Sequence, residues 1–73
     1  MTKKFKRGYI EKYDNGGYQI IIAKVIQSDE FGKFEDIDED EINRFYGYET
    51  ISECFDDLKN YFKCKEIISE VNA

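Results

Sequence analysis

Two stretches with different hydrophobic patterns open this chain. Residues 5–13 alternate, with Phe5, Tyr9 and Tyr13 on one side and Lys6, Ile10 and Lys12 on the other, the period-two signature of a half-exposed strand. Residues 18–27 are apolar on both sides, with Ile20, Ile22 and Ile26 against Ile21, Ala23 and Val25. A strand of that kind belongs inside a sheet, with cover or a partner on each side. Asn15-Gly16 between them predicts a β-hairpin, because both central residues of a type I′ turn need positive φ. A two-residue loop pairs Tyr13 with Tyr18 and Tyr9 with Ile22. Phe5, Tyr9, Tyr13, Tyr18, Ile20, Ile22 and Ile26 then share a face. Gly17 also permits a bulged turn, which slips the register by one.

Further along, Ser28–Gly32 reads as a turn and Lys33–Ile37 as a short third strand. Asp38–Tyr46 reads as a short helix: Asp38 can cap it, Glu41 sits three residues later, Arg44 lies in the last turn and Gly47 at the stop position. A second capping box, Thr50-Ile51-Ser52-Glu53, precedes Ile51, Phe55, Leu58 and Phe62 at helical spacing. The next apolar set, Cys64, Ile67, Ile68 and Val71, lies on a different side of the same helix, so that helix must kink or end near Lys63. Residues 64–73 then form a second short helix or a last strand, and the spacing favours the helix. The expected fold class is α+β: an antiparallel β-hairpin or three-stranded meander with one or two helices packed on one face, as a single small domain over 1–73.

At 73 residues the chain is near the lower limit for one self-sufficient core, and its 41% hydrophobic and 16% aromatic content argues against disorder. The longest apolar run is Ile20–Ala23, so neither a signal peptide nor a membrane span is expected. Cys54 and Cys64 lack the CxxC spacing and are expected to be reduced thiols of a cytoplasmic protein.

The charge is unevenly held. Residues 29–57 carry twelve of the sixteen carboxylates against Lys33 and Arg44, a net −10, whereas 1–28 carry +4 and 58–73 carry +1. Such a field steers partners. Carboxylates interspersed with lysines would serve solubility alone, but here they run together: Glu35, Asp36, Asp38, Glu39, Asp40 and Glu41, then Asp56 and Asp57. With Phe34, Phe45 and Tyr46 as aromatic anchors, these residues form the candidate partner-binding site. The expected target is the basic groove of a nucleic-acid-binding protein.

Other chemistry has little to work with. The chain has no His, which removes Ser-His, Cys-His and His-metal arrangements, so no enzyme, cofactor or metal site is expected. Asp36–Asp40 begins like a calcium loop, but the sixth, eighth and twelfth positions are Glu41, Asn43 and Gly47, which do not fit. Lys3, Lys4, Lys6, Arg7 and Lys12, interleaved with Phe5 and Tyr9, form an alternative surface for direct nucleic-acid contact. Tyr46-Gly47-Tyr48-Glu49-Thr50 resembles a helix start in the arm-binding domains of phage integrases. Those domains are basic where this chain has Glu49, Glu53, Asp56 and Asp57, so direct nucleic-acid binding is not the leading expectation. A dimer formed through the apolar second strand is a further alternative, as a structural or oligomerisation module; monomer and homodimer both stay open.

In size, charge and its acidic segment 29–57, the chain resembles the small inhibitors encoded by phages, including anti-CRISPR proteins and other DNA mimics. The resemblance implies a non-enzymatic inhibitor that occludes a nuclease or effector complex, for example a CRISPR effector, in the cytoplasm of a bacterial host cell. It carries no motif, so the residues named above rest on physical argument alone.

Overall fold

A computed structural model describes residues 2–28 and 34–69. Strands β1 (Thr2–Lys12), β2 (Tyr18–Ser28), β3 (Phe34–Tyr48) and β4 (Glu66–Ser69) form one sheet in the order β3-β2-β1-β4. β2 runs antiparallel to both β1 and β3, and β4 lies parallel beside β1. Helix α1 (Ile51–Asp56) continues into a π-helical turn, Asp57–Tyr61, on one face. The class is α+β, and β2 is internal as its two-sided apolar pattern requires. Among the described residues no helix is long and apolar enough to cross a membrane.

The hairpin turns on a three-residue loop. Gly16 N donates to Tyr13 O at 3.1 Å and Tyr13 N donates to Gly17 O at 2.7 Å. Of the turn residues only Gly16 has a positive φ, at 95°, so the turn is type I followed by a left-handed glycine. The ladder is therefore slipped by one residue from the two-residue register, with Lys12 opposite Tyr18 and Tyr9 opposite Ile21. That slip reassigns the faces. Gly8 and Ile10 lie with Ile20 and Ile22 under the helix, whereas Phe5, Arg7 and Tyr9 share the other face with Ile21, Ala23 and Val25.

Ile10, Ile20 and Ile22 pack with Cys54 and Leu58 as the core, ringed by Tyr18, Tyr48, Ile51, Phe62, Cys64 and Ile67. The capping box at Thr50 forms: its Oγ1 accepts from Glu53 N at 3.2 Å. Phe55, expected inside, is half-exposed, and Cys54 takes the buried position instead. The helical segment stops where the pattern demanded, at Lys63 with φ 56°. Beyond it Lys65 N donates to Lys6 O at 3.0 Å and leads into β4, so Glu66–Ser69 form a strand and the helical spacing was misleading. Val71, the turn at 29–32 and Lys33 lie outside the described residues.

The helix expected over Asp38–Tyr46 is not there; those residues belong to the 15-residue strand β3. Local capping stabilises a helix by roughly 1 kcal/mol. Against it stand the free edge of β2 and its apolar side chains, which need a neighbour to satisfy their backbone groups. The nonlocal ladder wins.

Among the described residues no helix covers the second face. Ala23 and Val25 are nevertheless buried, and Arg7, whose side chain is only 11% exposed, lies on the same face. Arg7 lies opposite the small Ala23 and reaches Glu35 on β3 at 2.8 Å and Glu66 on β4 at 2.8 Å, tying both outer strands to the centre. The guanidinium holds the Glu35 carboxyl below its ordinary value of 4.5. A depressed carboxyl pKa adds stability that is complete above the ordinary value and drains away as pH falls through the depressed one. Arg7→Met keeps the stem and removes the charge. It should lower the melting temperature by several degrees at neutral pH, and the gap should close below pH 4.5. A gap that stays constant into acid would mean that the Glu35 contact does not form.

Candidate functional site

β3 is an outermost strand, and among the described residues one whole edge of its backbone has no strand partner. Its pairing with β2 is broken twice. Tyr48 lies opposite Tyr18 and Phe45 opposite Ile20, which leaves one extra residue near Gly47, whose φ is 91°. The second break is larger: Asn43 pairs with Ile22 and Asp38 with Lys24, so residues 39–42 stand against the single residue Ala23. Bulges of this kind bend an edge strand and re-aim its side chains. This one lifts Glu39, Asp40, Glu41 and Ile42 out of the ladder, and all four are exposed.

The six carboxylates of residues 35–41 thus lie together at one end of one edge strand. Two have cationic partners: Glu35 pairs with Arg7 at 2.8 Å and Glu41 with Lys24 at 3.0 Å. Asp36, Asp38, Glu39 and Asp40 have no ion pair among the described residues. Asp36 Oδ1 accepts from Ile37 N at 2.9 Å within the ladder, and Asp38 Oδ1 accepts from Asp40 N at 3.1 Å within the bulge. Large apolar side chains are exposed among them: Phe34 at 58%, with Ile37 and Ile42 less so.

Asp56 and Asp57 do not join this group. Asp57 accepts from the Tyr48 hydroxyl at 2.6 Å, at the end of β3 opposite Tyr18. Lys24 lies six positions along β2 from Tyr18, a span of roughly 20 Å. Burial, followed by the hydrogen bond to Asp57, pushes the Tyr48 hydroxyl pKa up, so Asp57 serves to fix the helix to the strand. Phe45 and Tyr46 are also parted, since consecutive strand residues face opposite ways. Phe45 packs on Phe62 with centroids 4.9 Å apart, and Tyr46, 65% exposed, stacks on Tyr13 at 6.3 Å.

The basic residues of β1 do not form one surface either. Arg7 is committed to Glu35 and Glu66 on the helix-free face, whereas Lys4, Lys6 and Lys12 alternate onto the other. There a cavity of about 350 Å³ opens beside Lys4, Lys6 and Lys24. Sequence reasoning missed Lys24, Asn43 and Phe62 as its neighbours, because only the slipped register sets Lys24 opposite Lys6.

Neither cysteine is set up as a nucleophile. Burial pushes both thiols up, with Glu53 and Asp57 adding to the shift at Cys54 and Lys6 opposing it at Cys64. Among the described residues no group of three or more His, Cys, Asp or Glu is arranged to hold a metal ion.

No family model, curated protein or solved structure matches this chain. Its site has to be read from its own geometry.

Proposed function

We propose that this chain is a non-enzymatic binding protein whose acidic edge strand occludes a basic, nucleic-acid-binding groove on a partner protein. One observation carries the reading: four carboxylates with no cationic partner among the described residues and exposed Phe34, Ile37 and Ile42 share the bulged end of an edge strand. Charge alone would protect an edge from aggregation. An edge kept only for solubility has no use for large apolar side chains among its charges. Carboxylates on a strand can occupy positions where phosphates would pair with Lys and Arg, the apolar groups anchor, and the field speeds capture. A CRISPR effector or another nuclease has a groove of this chemistry, and phage-encoded DNA mimics supply the class analogy.

The test reverses the four unpaired charges together (Asp36→Lys, Asp38→Lys, Glu39→Lys, Asp40→Lys) and spares Glu35 and Glu41, which support the fold. Immobilised wild-type chain is exposed to the heparin-binding fraction of a nuclease-treated bacterial lysate. It should retain a protein that added duplex DNA displaces. The reversed variant, with an unchanged circular dichroism spectrum, should retain none of it. Equal retention by a folded reversed variant would overturn the proposal.

A further inference from the structure

We infer that the cavity on the helix-bearing face is a site for a mononucleotide-sized ligand, an aromatic base carrying a phosphate. It exists because α1 and its π-helical turn are too short for the sheet. β1 and β2 each run eleven residues, roughly 36 Å, whereas the helical segment from Ile51 to Tyr61 spans roughly 16 Å. The helix covers Ile10, Ile20 and Ile22, and the sheet runs on beyond it.

That uncovered end carries an unusual charge arrangement. Lys6 and Lys24 are directly opposite on adjacent strands, a like-charge pairing that costs stability. Among the described residues only Lys24 of the two has a carboxylate partner, Glu41 at 3.0 Å. Lys6 Nζ donates to the Phe62 carbonyl at 3.4 Å, and Lys4, on the same face, has no ion pair among the described residues. Among the described residues, three lysines and one glutamate therefore line the cavity, and a phosphate would relieve the excess positive charge. The floor is apolar, made by Ile22 and the Phe45–Phe62 ring pair, with Phe45 39% exposed and able to stack on a base. Asn43 adds amide donors and an acceptor for a base edge.

Size and surroundings select a free nucleotide over a strand of nucleic acid. The 350 Å³ volume lies at the small end of the roughly 300–1,000 Å³ typical of ligand sites. The acidic bulge at 39–41 borders the cavity through Glu41 and would repel flanking phosphates. This site is independent of the partner-capture reading, because its test leaves Asp36, Asp38, Glu39 and Asp40 untouched.

The experiment titrates isotopically labelled chain with AMP, inorganic phosphate and a short oligoadenylate, following backbone amide shifts. AMP should move Lys4, Lys6, Asn43 and Phe45 in a saturable way, and phosphate, lacking a base to stack, should bind about tenfold more weakly. Lys4→Gln with Lys6→Gln should weaken AMP about tenfold, with the Ile10 and Leu58 signals unchanged as proof of folding. Phe45→Ser should weaken AMP and leave phosphate as it was. Oligoadenylate binding no tighter than AMP identifies the free nucleotide as the source. Tighter oligoadenylate binding that the lysine variant abolishes would overturn the free nucleotide as the ligand and assign the site to a single strand. The inference is overturned if none of the three probes moves these signals at millimolar concentration, or if the folded lysine variant binds AMP undiminished.

Discussion

Leu58→Ala should destabilise this domain by about 4 kcal/mol. Leu58 is fully buried and is the side chain through which the helical segment meets Ile10, Ile20 and Ile22. Truncation removes its transfer energy and leaves a cavity that a four-stranded sheet cannot collapse to fill. A domain of 73 residues has a total stability of roughly 4–11 kcal/mol, so the variant should lose about a third or more of it and, at the low end of that range, sit at its unfolding midpoint. Urea titration would measure this as a lower midpoint at an unchanged slope. A loss under about 1 kcal/mol would mean that the helix does not dock on Ile10, Ile20 and Ile22.

The second large effect comes from the other side of the same contact. A Cβ on Gly8 would lie 2.6 Å and 2.9 Å from the two Leu58 Cδ atoms and 3.1 Å from Cγ. Leu58 is enclosed on its remaining sides by Ile10, Ile20, Ile22 and Cys54, so it cannot swing away without displacing them. Gly8→Val should therefore cost about 3 kcal/mol through overpacking, despite the better strand propensity of valine. Combining Gly8→Val with Leu58→Ala should be milder than the sum of the two, by about 1–2 kcal/mol, because the valine fills space that the leucine vacates. Strict additivity in a double-mutant cycle would show that the two positions are not in contact.

This contact illustrates which features are readable in the chain before it folds. Gly8 looks like an ordinary strand glycine, because its neighbour is fifty residues distant and belongs to a different element. The Thr50 capping box, by contrast, involves groups three residues apart and is legible at once. The end of the helical segment at Lys63 is legible too, since two apolar stripes on different sides of one helix cannot both be buried. β4 defeats the same reasoning. Cys64, Ile67 and Ile68 fit a helical period, but so few positions cannot distinguish periods, and the edge of β1 recruits Glu66–Ser69 as a strand.

For the candidate site the division is similar. The carboxylate run at 35–41 is visible in the sequence, and so is its lack of interspersed lysines. Its conformation is not, because caps and dipoles reward acidic residues at a helix start whereas the reward for pairing with β2 has no local trace. Asp56 and Asp57 join the run by sign of charge alone; the roughly 20 Å of sheet between Asp38 and Tyr48 separates them. The basic cavity has no local trace either, since it depends on a helix being shorter than the sheet beneath it.

Everything that depends on neighbours within a few residues is written into the order of the amino acids: the turn at Asn15-Gly16, the two-sided character of β2, the cap at Thr50 and the acidic run. Which face each β1 side chain occupies, whether 38–46 coils or extends, and which lysines meet across the sheet are decided only in the folded molecule. A one-residue difference in turn geometry reverses a strand's faces, and the hydrogen bonds that reward an extended β3 come from a strand remote in the chain.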